Sequence, residues 1–534
     1  MAIKRYSAIK DTTITNAYQE NLTIRGSGSN MGRADSLEIF SIYAQESTGS
    51  TELSRVLIEF PTDHIYSDRV ASNIPASGSV KFFLKMYNAV TPFTVPRDFV
   101  LNIAGISKEW QEGSGMDMDN YTDLTRDKIG ANWITARSSS SGVSSWSTVG
   151  GDYYTDASSS FTANFSKGTE DLEVDVTTLV EQWLTSEGDS GNLGEKKNRG
   201  FGVHLSSSYE GYFSSSSGAN TGSVLHNLDG AKRSYYTKKF FARSSEFFYK
   251  RPVLEARWDS ATKDDRGNFF YSSSLATGEE NLNTIYLYNY FRGQLRNIPG
   301  VGTSAVHVSI FSGSSKNTAP STEVLTLVAD GAHVRSDIPT VITGGHVSTG
   351  VYSASFALTS STPPLTDLFD VWFLGGDSVT NALDASVQYH TGTISPNVIS
   401  LGLAAPSTTY VSNISNLKPI YNTSEISRFR VYTRQKNWSP SIYTKAVSSI
   451  PPLIIESGSY SVVRVIDDLQ VIPFGTGSQL HTQMSFDVSG SYFDLDMGML
   501  EPGYAYKVKL AFYNGSIGGW QEQPQEFKFR VEEE

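Results

Sequence analysis

Apolar and polar residues alternate with a period of two along most of the chain, and long stretches with the 3.6-residue period of a helix are nearly absent. Such alternation sends successive side chains to opposite faces of a pleated strand, so the pattern predicts strands. In the first half they fall at 54–60 (SRVLIEF), 79–86 (SVKFFLKM), 98–103 (DFVLNI), 172–176 and 202–206. In the second half they fall at 285–290, 305–311, 350–358, 369–373, 428–433, 461–466, 483–488 and 504–513. Serine, glycine and proline clusters separate them, the spacing expected of β-sandwiches. One short helix is predicted at 178–184. Thr178 and Glu181 form a capping box there, and Val180, Trp183 and Leu184 share an apolar face that would plug one end of a sandwich.

The strand at 54–60 places Val56, Ile58 and Phe60 on one face and Arg55, Leu57 and Glu59 on the other. A sandwich interior takes one set, and a helix or loop covers part of the other. Trp110, Trp133, Trp146 and Trp183 read as core and corner plugs rather than a sugar-binding platform, because rings of this size dominate burial energetics. At 534 residues the chain exceeds one core and suggests about three or four domains. Composition shifts at 259–268 (DSATKDDRGN) and 395–407 divide it into 1–260, a smaller β-sandwich at 269–396 and a third β-domain at 397–534. The chain closes on three glutamates, an acidic cap that discourages edge pairing.

Residues 171–258 carry a strand ending in Asp-Val-Thr (DLEVDVTTLVEQWL), a glycine-led strand (RGFGVHLSSS) and an aromatic, serine-bearing stretch closing on a proline-led strand (FFARSSEFFYKRPVLEARW). This order resembles the C-terminal half of the DNRLRE family, β-sandwich modules of cell-surface, secreted and phage proteins. Further similar motifs precede it: DTTIT at 11–15, NMGRADSLEIF at 30–40, RVLIEFP at 55–61, KEWQEGSG at 108–115, the pair Trp133 and Trp146, and a "GG.Y" at 150–153. Pro61 stands where the family commonly has Asp. The resemblance covers about the first 250 residues and implies an all-β, multidomain protein: a jelly-roll type sandwich followed by two smaller immunoglobulin-like sandwiches. With modules similar to the immunoglobulin-like insertions of phage structural proteins, it implies a structural component of a tailed-phage virion. Its partners would be other virion structural proteins and further copies of itself. The alternative it leaves open is a carbohydrate- or receptor-binding module whose ligand is a host-surface glycan.

Composition narrows the field. Charged residues are only 18% of the chain and the net charge is -12, which disfavours nucleic-acid partners. The nearest approach to a basic patch, Lys232, Arg233, Lys238, Lys239 and Arg243, reads as a solvated loop. There is no cysteine, no signal-like apolar run near the N-terminus and no stretch long enough to span a membrane. Folding in a host cytoplasm and residence in a virion, without membrane or nucleic-acid partners, is the expectation.

Candidate chemistry is sparse. No HExxH or GxSxG motif occurs, the eight histidines are scattered, and His204 lies between Val203 and Leu205 as a half-buried or surface residue. The glycines of GSGSNMG at 26–32 precede no helix and read as a hairpin loop. Asp117, Asp119 and Asp123 (DMDNYTD) form a weak calcium candidate, since Thr122 and Lys128 occupy the places of the required Gly and Glu. Asp171, Glu173 and Asp175, like Asp494 and Asp496, are same-strand neighbours and suit a solvated face rather than a glycosidase pair. No enzyme activity, cofactor or metal is therefore expected.

Overall fold

Strands form wherever the alternation is clear, and in the computed structural model they outnumber α-helices thirty-two to three among the described residues. Those residues are 2–19, 22–42, 51–91, 95–116, 130–139, 142–188, 196–274, 276–313, 315, 320–374, 379–384, 386–397, 410–436, 438, 452–515 and 518–533. The protein is all-β and multidomain, and it divides into two units, 2–259 and 260–534.

In the first unit the strands are β1 (Ile3–Ser7), β2 (Lys10–Thr15), β3 (Ser36–Ile42), β4 (Glu52–Glu59), β5 (Val80–Met86), β6 (Phe99–Gly105), β7 (Thr135–Ser139) and β8 (Gly142–Ser145). They continue as β9 (Ser160–Phe165), β10 (Leu172–Asp175), β11 (Phe201–Leu205), β12 (Tyr235–Phe241) and β13 (Val253–Trp258). The helices are α1 (Thr62–Val70) and α2 (Thr177–Gly188). One sheet runs β1-β13-β5-β10 and the other β12-β3-β4-β11-β6-β9, with β2 also on β4. Without β2, β3 and β12, the orders 1-13-5-10 and 4-11-6-9 are those of an eight-stranded jelly roll.

Period-two burial makes this sandwich. Val56 and Ile58 of β4, and Phe60 just after it, meet Phe82, Leu84 and Met86 of β5 in the core, together with Phe99, Phe201 and Phe240. The opposite face of β4 is also covered. Leu53 and Leu57 join Ile14, Trp110, Trp133 and Trp146 in a second cluster. Helix α2 contributes Leu179, Val180, Trp183 and Leu184 to the main core, the end plug that its apolar face predicts.

Two local expectations are corrected. The Thr178–Glu181 capping box does not form, because Asp175 accepts from the backbone N–H and hydroxyl of Thr177 at 3.0 and 2.5 Å. Thr178 instead donates to the Ser158 carbonyl, and Glu181 takes both Arg69 guanidinium nitrogens at 2.7 Å, clamping α1 to α2. The basic run is not a solvated loop either: it contains β12. Lys238 there is buried and donates to Asn88 Oδ1 and the carbonyls of Gly168 and Glu170, while Lys239 pairs with Glu38 and Arg243 with Glu112.

The second unit holds a six-stranded antiparallel sheet in the order Asn283–Tyr288, Val351–Phe356, Ile342–Ser348, Val306–Ser312, Leu368–Phe373 and Gln388–Ile394. Ile285, Val308, Phe356 and Trp372 on the sheet pack with Phe269 of a short strand outside it and with Ile298, Val301 and Val334 from connecting segments. Tyr352 pins one connection by donating to the Gly302 carbonyl at 2.7 Å and accepting from the Ile298 amide at 3.0 Å. C-terminal to this lie a four-stranded and a five-stranded sheet. Phe429 and Phe493 of the first stack at 5.1 Å, and Tyr460 of the second stacks on Phe493 at 4.1 Å. Part of the polar segment 259–268 is anchored within this unit. Arg266 bridges Asp264 at 2.9 Å and the fully buried Asp370 at 2.6 Å, and Trp372 Nε1 donates to the same carboxylate.

Trp183 is fully buried, but its indole N–H has no hydrogen-bond partner among the described residues. Trp183→Ala should cost about 3–5 kcal/mol in chemical denaturation by opening a cavity. Trp183→Phe should cost clearly less, because it keeps most of the ring and removes the unsatisfied donor.

Candidate functional site

A dense, buried polar arrangement in the first unit is built on β4. The strand's alternation turns Arg55 away from the main core and under the tryptophan cluster. Its Nε and Nη2 donate to the two carboxylate oxygens of Glu210 at 3.1 and 2.9 Å, and Nη1 donates to the Gly150 carbonyl at 3.2 Å. Tyr153 donates to that same carbonyl at 2.7 Å, and the guanidinium lies 5.6 Å from the Trp133 ring and 5.8 Å from that of Tyr153. Both charged side chains are buried. Burial works against the Arg55 charge, but the Glu210 carboxylate more than offsets it and raises the pKa. Burial pushes the Tyr153 phenol up to about 12. Burial and then the Arg55 charge bring His204, whose ring is tilted against that of Tyr153 at 5.2 Å, down to about 4. The half-buried position expected for His204 is the one observed.

Glycine makes this packing possible. Gly150 and Gly151 have φ of +88° and +109°. A Cβ on Gly150 would sit 2.9 Å from the Trp133 ring, one on Gly151 2.3 Å from the Tyr153 hydroxyl, and one on Gly202 2.0 Å from the Tyr153 ring. The GG.Y pattern is thus a packing requirement. The whole set is an ion pair that fixes two loops to a strand.

A second charged array covers the outer face of the β1-β13-β5-β10 sheet. Glu255 receives Arg5 at 2.7 Å and Arg257 at 2.5 Å, and Glu173 receives Arg257 at 2.8 Å and Lys85 at 3.3 Å. Arg257 also lies 4.3 Å from the Phe83 ring. The opposed charges of Arg5, Lys85 and Arg257 outweigh the effect of burial on Glu255 and hold its carboxyl well below the usual range. Glu173 thereby lies in an ion-pair network, while Asp171 accepts from the Asn88 amide and Asp175 caps α2. Asp494 pairs with Arg428, and Asp496 caps a short turn through the Gly498 amide. None of these carboxylates meets another across a cleft among the described residues. Asp117, Asp119 and Asp123 lie outside the described residues. Within them, no three metal-binding side chains converge, and no helix is long and apolar enough to cross a membrane.

The four tryptophans sit in the core, as their size predicts. Trp110, Trp133 and Trp146 donate to the carbonyls of Arg199, Ser223 and Asn132 at 2.7–2.8 Å. Exposed aromatic surface lies elsewhere. Phe247 and Phe248 are exposed and pack with Tyr249, while Lys250 Nζ lies 5.1–5.9 Å from the rings of Phe241, Phe247 and Tyr249. Tyr235, 65% exposed, stacks on Tyr236 at 4.9 Å and 19°. Reading only tryptophans as the platform missed these surfaces, although FFARSSEFFYK and SYYTKK show them as unalternated aromatic pairs.

No family model and no curated protein matches the chain. Among solved structures, the trypsin-activated alpha-2-macroglobulin of Escherichia coli aligns at 10% identity, over 92% of this chain and 30% of that one, with a TM-score of 0.14. The chain therefore spans under a third of the length of the structure it aligns with.

Two outcomes are expected. Glu210→Ala strands a buried guanidinium and should cost about 3–5 kcal/mol in denaturant titration, with Arg55→Met in the same chain recovering part of the loss. Asp11, buried where its carboxylate accepts from the Arg243 amide at 2.5 Å, is pushed up to about 7 by burial, with Glu112 adding to the shift. Since this folded value lies above the unfolded one of 3.8, the folded state holds a proton that the unfolded state has lost. That contribution is complete at low pH and fades as pH rises through about 7. Asp11→Asn should therefore gain stability relative to wild type between these two values, with a limiting slope of about 1.4 kcal/mol per pH unit. Denaturation curves at several pH values check this.

Proposed function

We propose that the protein is a structural component of a tailed-phage virion that acts through protein–protein contacts, with a DNRLRE-like module as its N-terminal half. The observation that carries this reading is the wiring β1-β13-β5-β10 over β4-β11-β6-β9. That is the jelly-roll order the motif series implies, and it is an architecture used in viral capsids as well as lectins. Fold alone does not dictate function. What favours a scaffold is the use made of the polar residues: the buried charges of Arg55, Glu210, Glu255 and Arg257 are paired with each other and brace the sandwich. Exposed aromatics, rich in contact area at low entropic cost, supply surface for neighbours. A second reading, a glycan-binding module, is favoured by one feature, the stacking of the exposed Tyr235 on the half-buried Tyr236.

Mass spectrometry of purified particles of the phage encoding this chain should find it at a fixed copy number. Its absence from particles, together with glycan-array binding that Tyr235→Ala abolishes, would replace the first reading with the second.

A further inference from the structure

The segment that follows residue 260 borders an open cavity of about 400 Å³ in the second unit, within the range of roughly 300–1,000 Å³ usual for ligand pockets. Asp265, Glu280 and Glu456 line it together with Lys263, so three carboxylates face one ammonium. Phe270 and Tyr271 add aromatic wall. Two of the carboxylates are held in place by neutral donors. Asp265 Oδ2 accepts from the Thr284 amide at 2.7 Å, and Glu456 Oε1 accepts from Asn268 Nδ2 at 2.7 Å. Neither forms an ion pair among the described residues. The adjacent Arg266 is committed to Asp264 and Asp370.

We propose that this cavity receives a guanidinium group, the side chain of an arginine on a neighbouring protein. Negative charge in a partly buried site is costly until an opposite charge enters. Burial pushes the Asp265 carboxyl up to about 7, against the pull of the Thr284 amide, and Asp264 and Glu456 add to the shift. Among cations, guanidinium suits the wall best. Its planar fork donates to two carboxylates at once, it stacks on aromatic rings, and it sheds water more readily than an ammonium. The inference does not rest on the virion reading, because it uses only the charge and shape of this cavity.

The test is isothermal titration of the full chain with N-acetyl-arginine amide, its citrulline counterpart and free L-arginine. The capped arginine should bind saturably at one site, and the neutral citrulline compound about tenfold more weakly or worse. Free L-arginine carries an α-ammonium and a carboxylate in place of the two neutral amides, at the same net charge, so it should bind no more tightly than the capped form; clearly tighter binding would overturn a protein-borne source. Asp265→Asn with Glu456→Gln keeps both accepted hydrogen bonds while removing both charges, and should weaken the capped arginine by about tenfold or more. Equal binding of arginine and citrulline compounds, no loss in the double variant, or no saturable heat up to about 10 mM would overturn the proposal. The comparison of the two capped ligands on the unaltered chain decides the matter even if the double variant fails to fold.

Discussion

Arg55 is almost sealed from water, at 8% exposure. Its strand is covered on one side by the sandwich core and on the other by the tryptophan cluster, so its charge is tolerable only because Glu210 meets it with both oxygens. Much of the first unit follows from that constraint. Glu210 must arrive from the loop after β11, Gly150 must turn its carbonyl inward, and Tyr153 must fold over the same carbonyl. The glycines at 150, 151 and 202 then have to be glycines, because every Cβ placed there meets a ring or a hydroxyl. One ion pair thus sets the course of two long loops.

The architecture was legible where the physics is local. Period-two alternation located the long strands to within a few residues, because a half-buried sheet face imposes it directly, and the size of the tryptophan rings marked them as core. The jelly-roll wiring was not available from alternation, which says nothing about which strand lies beside which; it came through the resemblance carried by motif order. Helix α1 was invisible for a different reason. Its residues TDHIYSDRV bury only Thr62 and Ile65, so no apolar stripe announces it, and the Arg69–Glu181 clamp holds it from outside. The misplaced cap at Thr178 shows a competition between neighbours: Asp175 is a stronger acceptor, lies at the strand end, and claims the first turn.

Charge placement was the least legible layer. A lysine such as Lys238 looks solvated in a basic run, yet it is buried because β12 turns it towards Asn88 and the carbonyls of Gly168 and Glu170. Likewise Asp171, Glu173 and Asp175 share one strand face, but each answers to a different donor. The partners of Asp171 and Glu173 come from residues distant in sequence, and composition cannot supply such pairings. The same holds for the cavity bordered by Asp265 and Glu456, whose carboxylates are 191 positions apart in the numbering.

Among the described residues, strand β1 finds its only sheet neighbour in β13, with Ile3 opposite Arg257 and Ser7 opposite Val253. The first strand of the unit is therefore paired with its last. During synthesis β1 must wait, unpaired, until the whole module has left the ribosome, and closing so long a loop makes folding slow. The exposed edge is an aggregation risk throughout that interval. Its adjacent Lys4 and Arg5, set between Ile3 and Tyr6, put charge on the waiting strand, a safeguard for the nascent chain as much as a feature of the finished fold.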